Sequence, residues 1–109
     1  MRKPRKYRNV PTVVDGIRFD SKAEARRWGE LKLLERAGSI SSLERQVAIE
    51  LPGIYSNGRK AKMIVDFVYW DRTRAAWVHE DVKGYEPTTV WKLKQALVRF
   101  MGIEVEVVR

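Results

Sequence analysis

Cysteine is absent from the chain and histidine occurs once, as His79. The first absence excludes disulfide frameworks and thiolate zinc sites and fits a reducing compartment. The second excludes a metal site built from several histidines. No apolar stretch approaches the roughly 18–20 residues of a membrane span, and the N-terminus lacks the apolar core of a secretion signal. A cytoplasmic protein with no membrane partner is therefore expected. No glycine-rich phosphate loop or Ser-His-Asp order stands out, which argues against an NTPase or a serine hydrolase. Acidic residues are the minority: 14 Asp and Glu face 22 Lys and Arg, for a formal charge of +8. That imbalance favours a polyanion, nucleic acid first, through phosphate neutralisation and counterion release, although solvated lysines alone give the same sum.

What is present begins with a basic segment, residues 1–9 (MRKPRKYRN), which carries Arg2, Lys3, Arg5, Lys6 and Arg8 and reads as a flexible phosphate-contacting arm. Residues 10–109 are then expected to form one domain, long enough to bury a core without staples. Val13 and Val14, Asp15-Gly16, and Ile17 to Phe19 spell a small β ribbon around a two-residue turn. Residues 21–37 change period, with Ala25, Trp28, Leu31, Leu34 and Ala37 on a helical stripe stopped by Gly38. Strands are expected over 46–51, where Pro52 and Gly53 end the alternation, over 61–70, and over 76–83. Thr88 or Thr89 caps a second helix bearing Val90, Leu93, Leu97 and Phe100, Gly102 ends it, and 103–108 alternate as a last strand. The order αβββαβ after the ribbon implies an α+β sandwich in which helices flank a mixed sheet and bury both apolar stripes.

One strand holds a charge inside an apolar run, Met63-Ile64-Val65-Asp66-Phe67-Val68, where an unpaired carboxylate is costly. Side chains alternate along a strand, so Asp81 and Lys83 share a face while Glu80 and Val82 point away. In an antiparallel hairpin with an even loop, Asp66 joins that face; a bulge would break the parity. Two carboxylates a few ångströms apart repel by about 4 kcal/mol at an effective dielectric near 20, so the pair must recruit a cation. Lys83 alone can serve, as in an ordinary buried ion pair, but a hard divalent ion with oxygen ligands suits two aspartates better. Glu24 lies at the edge of the first helix's apolar stripe, yet Ser21-Lys22-Ala23-Glu24 also fits a capping box. Trp70 and Trp77 read as a cross-strand pair, Trp28 and Trp91 as core, and His79 as a packing residue.

Taken together, the helix beginning Asp20-Ser21-Lys22-Ala23-Glu24, the strand Ile64-Val65-Asp66-Phe67, and Glu80-Asp81-Val82-Lys83-Gly84 resemble the PD-(D/E)xK nuclease superfamily. The resemblance is strongest to a small phage and prophage branch and to phage junction-resolving endonucleases. It spans nearly everything after the arm. It departs from the motif in having Val65 where the naming proline stands. The resemblance implies a restriction-endonuclease-like fold and a Mg²⁺- or Mn²⁺-dependent DNA endonuclease of a bacterial host cell, acting on branched or recombination intermediates. In it Asp66 and Asp81 would ligate the metal, Lys83 would serve the attacking water, and Glu24 would complete the catalytic set. A polar residue of the second helix, Lys92, Lys94 or Gln95, would stand near the substrate. One compact site cuts one strand, so paired incisions imply a homodimer. The alternative from another class is a non-catalytic nucleic-acid-binding module on the same fold.

Overall fold

Turn chemistry and hydrophobic period set the elements. In the computed structural model, which describes residues 11–109 and so leaves the basic arm outside the described residues, Asp15 and Gly16 both take positive φ (52° and 75°). That is the two-residue hairpin turn that Asp-Gly favours, and it joins β1 (Thr12–Val14) to β2 (Ile17–Phe19). Ser21 caps α1 (Lys22–Arg36) by accepting from the Glu24 N–H at 3.1 Å, and Gly38, at φ +83°, releases the chain after it. Ala25, Trp28 and Leu31 are buried as their spacing predicts, whereas Leu34 and Ala37, at the C-terminal end of the same stripe, are exposed. Three antiparallel strands follow, β3 (Ile40–Ile54), β4 (Lys60–Asp71) and β5 (Ala76–Val82), then α2 (Thr89–Phe100) and β6 (Val105–Val108). The sheet order is β3-β4-β5-β6, with β6 parallel to β5, so this is an α+β fold with a mixed four-stranded sheet.

Two core clusters hold the helices to the sheet. Phe19, Ala25, Trp28, Leu31, Phe67, Tyr69 and Val78 pack beneath α1, whereas Val98 of α2 joins Ile49, Leu51, Met63, Val65, Val68 and Val105. Glu80 turns away from Asp81 as strand alternation requires, and it is buried to 3% exposure. Its charge is answered by a bidentate Arg27 (2.8 and 2.7 Å) and by the Tyr69 hydroxyl, which donates to it. Beside this carboxylate the Tyr69 phenol is pushed up, first by burial and then by the Glu80 contact.

Three expectations are corrected. β3 runs well beyond 46–51 in both directions. It is an edge strand, and Pro52 and Gly53 fall in a register shift between Glu50 and Ile54 where the ladder is interrupted; a second shift between Ser41 and Glu44, with Ser42 at φ 56°, further masks its period. β6 starts at Val105, two residues later than expected. The α2 stripe is not buried: Val90, Leu93, Leu97 and Phe100 are exposed at 62, 62, 42 and 90%. The helix instead turns Val98 to the core and Trp91 to a half-buried position beside it.

Candidate active site

The β4–β5 register decides where the charged strand residues meet. Asp71 pairs with Ala76 across a four-residue loop, and the ladder continues through Trp70↔Trp77 to Phe67↔Glu80. The next step places Asp66 opposite Asp81, as even-loop parity predicts. The tryptophans form the expected cross-strand pair, edge to face with centroids 5.4 Å apart.

At Asp66 the ladder gives way and side chains replace it. Asp66 Oδ2 accepts from the Val82 N–H at 2.7 Å, and the Asp66 N–H donates to Asp81 Oδ1 at 3.2 Å. Each aspartate thus satisfies a backbone donor of the opposite strand. Asp81, 4% exposed, has its other oxygen engaged twice, by Lys83 Nζ at 3.0 Å and by Trp91 Nε1–H at 2.7 Å. Lys83 Nζ lies 5.1 Å from the Trp91 ring centroid and 5.8 Å from that of Tyr85. Its backbone N–H donates to the Val108 carbonyl at 2.8 Å, so β6 fixes the lysine's stem.

Glu24 reaches the same place from α1. Its backbone N–H makes the Ser21 cap, while its carboxylate, in a residue 5% exposed, accepts from Gln46 Nε2 at 3.1 Å. The same Gln46 nitrogen reaches Asp66 Oδ1 at 3.3 Å. The Ser21 cap thus uses only the main chain of Glu24, and the carboxylate that a capping box would return to the Ser21 N–H goes instead to Gln46 in the cluster. A cleft of about 510 Å³ is lined by Glu24, Gln46, Asp66, Asp81, Lys83 and Trp91 together with Asp20, Lys22 and Tyr85.

The electrostatics follow from this crowding. Burial, then the neighbouring Asp81 charge, pushes Asp66 up to about 8, against the hydrogen bond from Val82 that pulls it down. Glu24 is also raised, chiefly by burial and next by Asp20. His79 is lowered by burial alone and takes no part in the cleft lining, which fits a packing residue.

Among the described residues, no group of three or more His, Cys, Asp or Glu is gathered into a ready cage for a metal ion. The cleft offers instead two apposed aspartates with Glu24 beside them, and its acids, Asp20, Glu24, Asp66 and Asp81, outnumber its bases, Lys22 and Lys83. That donor set fits Mg²⁺ or Mn²⁺, hard ions that accept few carboxylates and keep several waters. Asp66 and Asp81 are the residues that would hold it.

A family model described as "Protein of unknown function (DUF1064)" matches residues 4–108. The chain belongs to the DUF1064 family. No curated protein and no solved structure matches it. The DUF1064 match spans every element described above, so the cleft lies wholly inside the family's shared length.

Within this DUF1064 chain the second helix contributes differently from expectation. Lys92 is drawn to Glu86 (3.0 Å), and Gln95 donates to the Val105 carbonyl at 3.3 Å. Lys94 lies over the Tyr55 ring at 5.8 Å, in a neighbouring hollow that shares Ile64 and Trp91 with the cleft. The helix residue that touches the acids is Trp91. Its clue in the sequence is an indole, whose N–H needs a partner when buried, on the first turn of the helix that follows Asp81 and Lys83. Gln46 was also missed, and its clue was slight: one amide heading an alternating strand. The phosphate-binding residues expected in the arm, Arg2, Lys3, Arg5, Lys6 and Arg8, lie outside the described residues.

Proposed function

We propose that this protein is a metal-dependent DNA endonuclease that hydrolyses phosphodiester bonds, acting on branched or recombination intermediates. The observation that carries the proposal is the meeting of Asp66, Asp81 and Glu24 from three separate elements at one cleft, with Lys83 held against Asp81. A buried ion pair needs one acid and one base. Here burial and mutual repulsion act on a cluster of acids, which is unfavourable for the chain alone and favourable once a cation arrives.

In hydrolysis, water attacks phosphorus, the P–O bond to the leaving sugar oxygen breaks, and that oxygen takes a proton. Asp66 and Asp81 would hold a divalent ion, which when bound would supply Lewis-acid polarisation of the phosphate and a lowered pKa for the attacking water. Lys83, positioned by Asp81, the Trp91 ring and the Val108 carbonyl, orients the attacking water or stabilises charge on the phosphate. The positive balance of the chain and the basic arm support a DNA substrate through phosphate contacts.

The homodimer needed for paired incisions is part of the same proposal. Val90, Leu93, Leu97 and Phe100 follow one another at spacings of three, four and three, the seam that helices use to pair, and all four face solvent. Leu97→Glu would leave a dimer built on this seam monomeric in sedimentation velocity.

A cleavage panel of single-stranded, duplex and four-way-junction DNA, with and without Mg²⁺ or Mn²⁺, tests the activity. Metal-dependent cutting lost in Asp81→Asn and Lys83→Ala, with folding and binding retained, is the expected result. Normal cutting by both variants would place the site elsewhere, and salt-dependent binding without any cutting would favour the non-catalytic binding module.

A further inference from the structure

Gln46 sits in the middle of β3 with φ +53°, a left-handed conformation that side chains other than Asn, Asp and Gly rarely adopt. Pairing does not require it. Arg45 pairs with Phe67 and Val47 with Val65, so the register is the same on both sides of the distortion. What the conformation accompanies is the reach of the side chain: Nε2 lies 3.1 Å from Glu24 Oε1 and 3.3 Å from Asp66 Oδ1. An amide nitrogen carries two hydrogens, one for each carboxylate. Gln46 is thereby the tie between the acid from α1 and the acid from β4. It also pulls Glu24 down against the burial that raises it.

We infer that Gln46 is a positioning residue for the acid cluster, and that its strained backbone is kept because it delivers the amide between Glu24 and Asp66. This rests on the metal-dependent reading above. Gln46 touches neither the ion nor the substrate in this scheme; it acts through Glu24, which it brings to the side of the cleft where Asp66 stands. Strain of this kind persists where the surroundings over-determine it and concentrates at working sites.

The test is Mn²⁺ binding by titration calorimetry on DNA-free protein, with a thermal melt of each variant. Gln46→Asn and Gln46→Gly suit the left-handed backbone at least as well as glutamine, yet Asn is one methylene too short and Gly has no amide. A merely structural role would lower the stability of both variants and leave Mn²⁺ affinity at the parent's. Positioning predicts affinity weakened about 10–100-fold, the usual effect of removing a residue that orients a ligand, in both variants and whatever the melt shows. Glu24→Gln should weaken binding similarly, and adding Gln46→Gly to it should cost little more, because both changes remove one interaction. Unchanged affinity in the Asn and Gly variants, or full additivity with Glu24→Gln, would overturn the inference while leaving the metal site standing. Absence of Mn²⁺ binding by the parent protein would overturn the metal-dependent reading itself, and this inference with it.

Discussion

On the metal-dependent reading proposed above, Asp66 would make metal binding a proton-linked event. Burial and the adjacent Asp81 charge hold its carboxyl at about 8 in the metal-free fold, so at neutral pH most molecules carry a proton there. A cation must displace it. Well below pH 8 each unit of acidification then weakens apparent Mn²⁺ affinity about tenfold, so affinity at pH 6 is about 50-fold below that at pH 8 and flattens at higher pH. Titration calorimetry in two buffers of different ionisation enthalpy reads both the slope and the proton released, with close to one proton expected at pH 6–7. Metal-free stability has the opposite sense. A carboxyl raised in the folded state stabilises the fold fully below its unfolded value near 4, and that contribution is lost as pH rises through about 8. The melting temperature without metal should fall across this window, and the stabilisation conferred by Mn²⁺ should grow. Asp66→Asn should remove most of both trends. Mn²⁺ affinity that is flat between pH 6 and 8 would refute the assignment of the raised group to the metal site.

Arg27→Met strands Glu80, buried to 3% exposure, without its bidentate partner; a loss of about 3–5 kcal/mol is expected and is measured by urea unfolding. Glu80→Gln in the same background should recover part of it, and a loss under about 1 kcal/mol would contradict a buried charge pair. Trp91→Phe keeps the ring beside Lys83 but deletes the 2.7 Å donor to Asp81; cleavage should drop about 10–100-fold with the melting temperature nearly unchanged. Deleting residues 1–8 removes Arg2, Lys3, Arg5, Lys6 and Arg8, which should lower the salt slope of DNA binding by up to about 4 without altering cleavage at low salt. An unchanged slope would assign phosphate contact to other residues.

Much of this is legible in the amino-acid sequence. Periodicity and glycine placement identified both helices and the order of strands, because α1 and the β4–β5 hairpin obey simple burial patterns. Asp66 and Asp81 were grouped correctly because the 72–75 loop is even. β3 was read short because an edge strand with left-handed residues at Ser42 and Gln46 has no clean period. The α2 orientation was misjudged because amphipathicity shows that a stripe exists and not what covers it. Trp91 and Val98, one flank of the helix, outweighed the longer run of Val90, Leu93, Leu97 and Phe100. The partners of Glu80 and the double reach of Gln46 depend on tertiary proximity between α1, β3 and β4, which spacing along the chain does not encode.

The crossed hydrogen bonds of Asp66 and Asp81 bear on how relatives of this chain are to be compared. Each carboxylate closes a backbone donor where β4 and β5 part, so the fold has its own use for both acids, independent of any reaction. A relative that had lost cleavage would still be expected to keep them, and an alanine at either place would confuse a folding defect with a chemical one. Lys83 belongs with them: its main-chain N–H is tied to Val108 and its ammonium answers the buried Asp81 charge at 3.0 Å. A change at any of the three positions therefore has to be read beside a stability measurement before it is assigned to chemistry.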